Sequence, residues 1–437
     1  MGTPAISVFG LGYVGSVTAA SLAARGCEVV GCDVAESKVD SINAGRAPIG
    51  EPGLEELLSA QREAGKIRAT TDAAEAVRET NVSIVCVGTP STPSGALDLR
   101  YVEAVSQQIA EAVSAKRKSH AVVFRSTMLP GSTKRLAETY FAEVRDLVTI
   151  FFFPEFLRQG TALADFNDPS LSAIGLLDET QSTEPVSAMI EAETVKMSTD
   201  SAELLKYACN AFHASKVAFA NEIGRIGKAA GIDASLVMET LCKDERLNIS
   251  TYYMRPGTPF GGSCLPKDVS ALVQHARHLG ISAPMLDSLL DSNRRHLESI
   301  LERVENAGSN RILLLGLAFK EGTDDLRGSA MLELAASLLL RGFSVQIYDP
   351  EVAPENLVGA NKRFADTKLP SFESLLLQDL SEVSDDDTPF TIVVSKPCVS
   401  TEELGSLFAA NSGVHVIDVN GWAEIAEIAP SYEGVCW

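Results

Sequence analysis

At 437 residues the chain is long enough for two or three domains with buried cores. Asp+Glu 58 against Lys+Arg 37 gives a formal charge of -21, which repels phosphate backbones and excludes nucleic acid as an expected partner. A small anionic ligand would need a local cationic pocket. The eight cysteines, at 27, 32, 86, 209, 242, 264, 398 and 436, form no CxxC or Cys/His cluster. Neither a metal site nor a disulfide framework is expected, which suits a reducing cytoplasm. No basic N-terminal region precedes a long apolar run, and no uncharged apolar stretch of about 18 residues occurs, so no signal peptide and no membrane contact are expected.

Ala5 to Phe9 is rich in β-formers, and Gly10, Gly12 and Gly15 follow at once as GxGxxG, leading into a helical run through Leu22 and Ala24. A second strand, Cys27 to Cys32, ends in Asp33. An acid about 20 residues on, at the end of the next strand, turns a weak glycine motif into a dinucleotide fingerprint. Gly10 makes the turn, Gly12 admits a pyrophosphate, and Gly15 lets helix and strand pack closely. The helix N-terminus receives the phosphate charge, and Asp33 accepts ribose hydroxyls, which favours NAD over NADP. Val82 to Val87 and Ala121 to Phe124 continue as buried strands, followed by Thr89 and Thr127. Ligands in open α/β sheets lie beyond the carboxyl ends of strands. These threonines are therefore either cofactor contacts or hydroxyls satisfying their own turns. Leu147 to Phe153 is a further strand, and Glu155 just after it is either a site carboxylate or a solvated loop acid.

From Ser201 to Gly231 the chain predicts one long helix without proline. Lys206, Asn210 and His213 fall at i, i+4 and i+7, and Asn221 returns to nearly the same face. The stripe faces either solvent or a ligand. The helix has more apolar side chain than one sheet covers, which predicts a helix-to-helix contact between subunits. Tyr252, Tyr253 and Arg255 then either recognise sugar hydroxyls and phosphate or brace the loop. In Phe260 to Asp268 a single thiol, Cys264, stands between the pair Gly261-Gly262 and a helix begun by Pro266. A helix N-terminus favours a thiolate, and Lys267 and Asp268 add a cation and a carboxylate; a buried, inert cysteine is the plainer alternative.

The last third repeats the α/β pattern. Arg311 to Gly316 echoes the first strand and its glycine, a helix covers Leu332 to Leu340, and Ser344 to Asp349 echoes the strand that ends in Asp33. The glycine fingerprint is missing. Lys320 and Arg327 sit beyond a strand end instead, placed either for a pyrophosphate or as surface charge. Later strands are Phe390 to Val394 and Val414 to Val419.

With GLGYVG, VGTP, RSTMLPGS, PEFLR, ELLKYACNAFHASKVAFANE, FGGSCLPKD and GLAFKEGTDDLR in order, the chain resembles the UDP-glucose/GDP-mannose dehydrogenase family over essentially its whole length. Within it the chain most resembles the branch that oxidises GDP-mannose, through Tyr252 to Gly257, Leu265 after the cysteine and the closing Glu433 to Trp437. UDP-glucose is the alternative substrate. The resemblance implies an α/β fold of two Rossmann-like doubly wound domains joined by a long central helix and a small all-helical region. The parts would be an NAD-binding domain (1–198), a central dimerisation domain with the cysteine (199–300) and a nucleotide-sugar-binding domain (301–437).

It also implies a four-electron oxidation of GDP-mannose by two NAD, supplying an alginate-type polymer. Cys264 would be the nucleophile, with Lys206, Asn210, Asp268 and Glu155 as its catalytic company. Gly10, Gly12, Tyr13, Val14, Gly15, Asp33, Lys38, Thr89, Thr127, Lys267 and Arg327 would touch NAD. Gln159, Lys206, Asn210, His213, Asn221, Tyr252, Tyr253, Arg255, Gly261 and Lys320 would touch the sugar nucleotide. Relatives form dimers with shared sites. The chain departs from the family where Phe153 replaces Asn before PEF, Gln159 replaces Glu, Thr258 replaces Phe, and Ala330 replaces Pro. A two-electron hydroxy-acid dehydrogenase shares the fold pair and the long helix but needs no thiol.

Overall fold

The computed structural model describes residues 4–90, 97–189, 193–246, 248, 256–262, 265–319, 323–357, 359–370, 372–383, 388–411 and 413–436. The chain divides into two units, Met1–Ala214 and Ser215–Trp437, and the long helix, Thr199–Ala229, contributes residues to both.

The first unit is built on one sheet. Its strands are β1 (Ala5–Phe9), β2 (Glu28–Cys32), β3 (Ile67–Thr70), β4 (Val82–Val85), β5 (His120–Phe124), β6 (Val148–Phe152), β7 (Ala173–Leu176) and β8 (Val195–Ser198). Their order is β3-β2-β1-β4-β5-β6-β7-β8. The first six follow the doubly wound dinucleotide-binding order, with the strand order reversing between β1 and β4. Only the β6–β7 pairing is antiparallel among the described strands. Because both faces are covered, β4 and β5 are buried at every position and are apolar apart from Ser83 and His120. One face packs Ile6, Val8, Val123 and Phe151; the other packs Phe9, Val122, Phe124 and Phe152.

The second unit carries β9 (Arg311–Leu315), β10 (Ser344–Tyr348), β11 (Phe390–Val394), β12 (Val414–Asp418) and β13 (Tyr432–Gly434), all parallel, in the order β10-β9-β11-β12-β13. It repeats the inner part of the first sheet. A separate helical layer of the same unit buries Ile226, Val273, Ala276, Ala283 and Leu286 together. The strand and helix ends differ from the sequence reading by one or two residues. Among the described residues no helix is long and apolar enough to cross a membrane, and no group of acids, histidines and cysteines could hold a metal ion.

The amino ends of the central strands hold a buried polar chain. Ser7 and Ser83 share a 2.7 Å hydrogen bond, Thr80 donates to Ser7 at 3.1 Å, and Ser83 meets His120 Nε2 at 2.8 Å. His120 is buried and its Nδ1 has no partner. Burial, and then the nearby Lys116 charge, push its pKa down to about 3. The unfolded imidazole titrates near 6.5, so the unfolded chain binds more protons in the window between 3 and 6.5. Stability contributed here is complete above 6.5 and is lost progressively as pH falls through that window. His120→Gln is expected to flatten the fall of the urea midpoint between neutral pH and pH ~4; an unchanged slope would assign the acid sensitivity to other groups.

Candidate active site

The turn after β1 has the geometry that its glycines suggest. Gly10 lies at φ 92, where an L side chain is strained, and a Cβ there would stand 2.9 Å from Val87 N. A Cβ on Gly15 would stand 1.7 Å from Gly10 O, so the helix Tyr13–Ala24 can approach the strand only with glycine there. At Gly12 nothing lies within 4 Å, which leaves the open cradle that a pyrophosphate needs. Tyr13 and Val14 open the helix that faces this space. Asp33, buried at the end of β2, accepts Leu11 N–H at 2.7 Å and Lys38 Nζ at 2.9 Å on one oxygen, and Ala35 N–H at 2.9 Å on the other. Burial opposes its charge, but these hydrogen bonds outweigh it and hold the carboxyl below its ordinary range. Across the strand ends, Thr89 Oγ1 donates to Thr127 O at 2.9 Å, so the Thr89 hydroxyl satisfies the neighbouring loop as well as standing at a strand terminus.

Beyond β6 the chain folds over Glu155. Lys206 reaches it from the long helix, donating to Glu155 Oε1 at 2.8 Å and to Glu155 O at 2.6 Å; Leu157 N–H holds the other carboxylate oxygen at 2.9 Å. The side chains are 9% and 13% exposed, so this is a nearly dry ion pair, and the ammonium also lies 5.5 Å over the Phe156 ring. The helix is anchored by Glu203, whose buried carboxylate accepts Gly131 N–H at 2.7 Å and Thr133 N–H at 2.8 Å, immediately after the Thr127 loop. The polar stripe does not share one environment: Lys206 is buried, while Asn210 and His213 are exposed, because the sheet edge covers only the first turns of the helix. Asn221 is also exposed and belongs to the second unit.

Beside the ion pair is a cavity of about 270 Å³, walled by Phe153, Phe156, Phe166, Arg125, Cys209 and His213, among others. In the sequence Arg125 is simply the residue that follows the strand ending at Phe124. Its guanidinium is buried between Phe153 and Phe166, 5.1 and 5.7 Å from their rings, and its Nε has no hydrogen-bond partner. The available signal was a cation following four apolar strand residues without a break. Gln159 lies exposed at the rim of the same loop.

In the second unit the loop before the thiol is fixed by its own helix. Asn293 accepts Phe260 N–H at 2.9 Å and donates to Phe260 O at 2.8 Å, and His296 Nε2 lies 2.5 Å from Gly257 O. A Cβ on Gly261 would stand 2.1 Å from Gly328 O, so close backbone packing requires glycine there. Arg327 grips Asp325 through Nε at 2.9 Å and Nη2 at 2.7 Å. A helix begins at Leu265. Cys264 itself, Tyr252, Tyr253, Arg255 and Lys320 lie outside the described residues, as do the side chains of Lys267 and Asp268.

A doubly wound sheet with this turn, this cradle and this acid defines an NAD-binding domain. Comparison with known proteins narrows the class. The NAD binding domain of the UDP-glucose/GDP-mannose dehydrogenase family matches residues 4–192, its central domain 200–295 and its UDP binding domain 313–420. GDP-mannose 6-dehydrogenase of Pseudomonas aeruginosa is 42% identical over 99% of this chain and 100% of its own length; that of Azotobacter vinelandii is 44% identical with the same coverage. UDP-glucose 6-dehydrogenase AglM of Haloferax volcanii is 39% identical over 83% of this chain and 86% of its own. The crystal structure of a ternary complex of GDP-mannose dehydrogenase from Pseudomonas aeruginosa superposes with a TM-score of 0.89 at 41% identity, covering 99% of this chain and 100% of that one. The chain belongs to the UDP-glucose/GDP-mannose dehydrogenase family.

The tightest steric requirement at the cofactor turn is at Gly15. Gly15→Ala is expected to weaken NAD binding by roughly tenfold or more, equivalent to about 1.4 kcal/mol, as read by calorimetric titration. An unchanged affinity would mean that this turn does not hold the cofactor.

Proposed function

We propose that the chain oxidises C6 of GDP-mannose to the carboxylate, giving GDP-mannuronate for an alginate-type polymer. The observation that carries this substrate is that proteins named GDP-mannose 6-dehydrogenase are 42% and 44% identical over 99% of the chain, whereas those named for UDP-glucose are 39% and 33% identical. NAD held over the glycine turn would supply the hydride acceptor for each of two oxidations, and the hydroxyl proton lost in each passes to a carboxylate of the site, Glu155 or Asp268. The chain's own groups do the rest. Lys206, with Asn210 beside it, stabilises negative charge as the C6 alcohol becomes an aldehyde and again at the tetrahedral stages. The Cys264 thiolate adds to the aldehyde carbon, forming a thiohemiacetal. Loss of the second hydride from that carbon gives a thioester, and water cleaves it to acid and free thiol. The water supplies the second oxygen, and Glu155 or Asp268 accepts its proton. Holding the intermediate on sulfur keeps a reactive aldehyde from leaving between the two steps.

The same proposal assigns residues 1–198 to NAD, 199–300 to dimerisation and the thiol, and 301–437 to the nucleotide sugar. Arg255, Tyr252, Tyr253, Lys320, His213 and Asn221 face the sugar nucleotide, and Lys267 and Arg327 face NAD. A second copy of the chain covers the apolar surface around the helix Ala234–Leu241, where Ile232, Leu236, Val237 and Leu241 are 42–61% exposed. A cytoplasmic setting accords with free thiols at Cys27, Cys32, Cys86, Cys209, Cys242, Cys398 and Cys436.

Incubation with GDP-mannose and NAD is expected to release two NADH per sugar, read by absorbance, with UDP-glucose turned over far more slowly; the reverse preference would reassign the substrate. Cys264→Ser should abolish acid formation, and wild-type kcat in that variant would reject the thiol mechanism. Lys206→Ala is expected to lower kcat by roughly 10²–10³-fold. Leu236→Glu should convert a dimer to a monomer in light scattering if a second copy covers that surface.

A further inference from the structure

We propose that Glu51 is a positioning residue that couples the cofactor turn to the Glu155–Gly160 loop, so that filling one site sets the geometry of the other. The inference rests on the reading of that loop as substrate-facing. Glu51 stands in the turn before the helix Leu54–Glu63 and is buried. Its carboxylate collects three donors from two separate segments. Tyr13 Oη donates to Oε2 at 2.6 Å, Gly160 N–H to the same oxygen at 2.8 Å, and Ala162 N–H to Oε1 at 2.8 Å. Tyr13 is the first residue of the helix that follows Gly12. Gly160 and Ala162 close the turn just after Gln159 and open the short helix Ala162–Asn167.

The chemistry makes these bonds directional. An ionised carboxylate only accepts, so each bond is charge-assisted and the tyrosine must donate. Tyr13 Oη also lies 3.2 Å from Arg158 O, but a hydroxyl has one proton, and the shorter contact takes it. The Tyr13 hydrogen bond, then the two amides, hold the Glu51 carboxyl below its ordinary range. Burial, and then Glu51, push the Tyr13 hydroxyl above its own. On its far side the loop is closed by Arg158, which grips Asp165 through Nε at 3.1 Å and Nη2 at 2.6 Å. It therefore has few ways to shift without breaking a charged contact. A carboxylate that merely capped the short helix would be satisfied by the two amides. The third bond, from a residue of the cofactor turn, is what a cap does not need.

That difference defines the test. Tyr13→Phe keeps the backbone and both amide bonds and removes the hydroxyl that makes the link, while saturating NADH keeps the cofactor site filled. Calorimetry on the full-length protein would measure the affinity for GDP-mannose with and without saturating NADH, which permits binding without turnover. NADH is expected to tighten GDP-mannose about fivefold or more in the wild type, the lower edge of ordinary site coupling. In Tyr13→Phe the ratio should fall to about one. Glu51→Gln, which can still accept one amide and donate to the tyrosine oxygen, should recover part of the ratio that Glu51→Ala loses. A wild-type ratio in Tyr13→Phe, or no ratio in the wild type, overturns the proposal. UDP-glucose is run in parallel and the ratio is read with whichever sugar nucleotide is turned over. A wrong substrate then appears as a changed preference and leaves the coupling measurable.

Discussion

An ionised carboxylate accepting two or more backbone N–H groups is the interaction on which the loops of this protein depend. Asp33 fixes the turn after β1, Glu51 the loop after Glu155, and Glu203 the helix after Thr127. In the second unit, Glu222 accepts Met285 and Leu286 N–H, Asp349 accepts Leu317 and Ala318, and Asp418 accepts Asn420, Gly421 and Trp422. Each of these acids is buried. Taking a carboxylate out of water costs several kcal/mol unless hydrogen bonds replace the lost hydration. Loop and helix-start amides are unpaired donors that face the same penalty. Bringing the two together resolves both problems and fixes the position of a loop that no β-ladder holds. A chain with a large acidic excess thus uses part of it internally, where it sets geometry.

The two sheets show one architecture used to different ends. Gly10 and Gly316 sit at φ 92 and 94 after their first strands, and Leu11 and Leu317 each donate to the acid at the end of the next strand at 2.7 Å. The acids differ in what neutralises them. Asp33 faces Lys38, whose side chain is 37% exposed, whereas Asp349 faces Lys396, 4% exposed and also bound to Glu351 at 2.6 Å. Lys38 can move aside for a ribose. Lys396 cannot leave without breaking two ion pairs, one of them to a fully buried carboxylate. The missing glycine fingerprint in the second half therefore goes with an acid already committed to an internal cation, and a ligand of that unit must be held by other groups.

The elements with a strong local signal were legible in the sequence. The glycine spacing, the strand-end acids and the long proline-free helix each follow from a rule that acts within a few residues. What was not legible depends on contacts between distant segments. Arg125 carries no local signal beyond following a strand, yet the fold brings the Phe153 and Phe166 rings within 5.1 and 5.7 Å of its guanidinium. Glu51 reads as an acid in a turn, and nothing in its neighbourhood announces that its partners lie 38 residues before and 109 after it. Glu155 was balanced between a solvated acid and a site carboxylate. Only the arrival of Lys206 from 51 residues away decides that it is paired and nearly dry. The polar stripe shows the reverse: helical periodicity placed Lys206, Asn210 and His213 on a common side, but periodicity does not reveal how far the sheet edge extends along it.

The Lys206–Glu155 pair bears most directly on how the proposed chemistry would begin. An ammonium has three donors, and two are already given to Glu155, one to the carboxylate and one to the backbone carbonyl. Breaking a buried pair by removing one partner costs about 3–5 kcal/mol, so the resting arrangement cannot be one in which either charge is loose. A sugar alcohol entering here would meet a lysine with a single donor left and a carboxylate whose second oxygen is held by Leu157 N–H. As negative charge grows on the sugar oxygen, the ammonium can swing its hydrogen bonds from the glutamate toward that oxygen. On the proposed mechanism, the glutamate oxygen that the lysine releases would be the one to take the hydroxyl proton. The backbone bond to Glu155 O would keep the lysine in place through the exchange, so the same pair can serve both oxidations without a group having to enter from solvent.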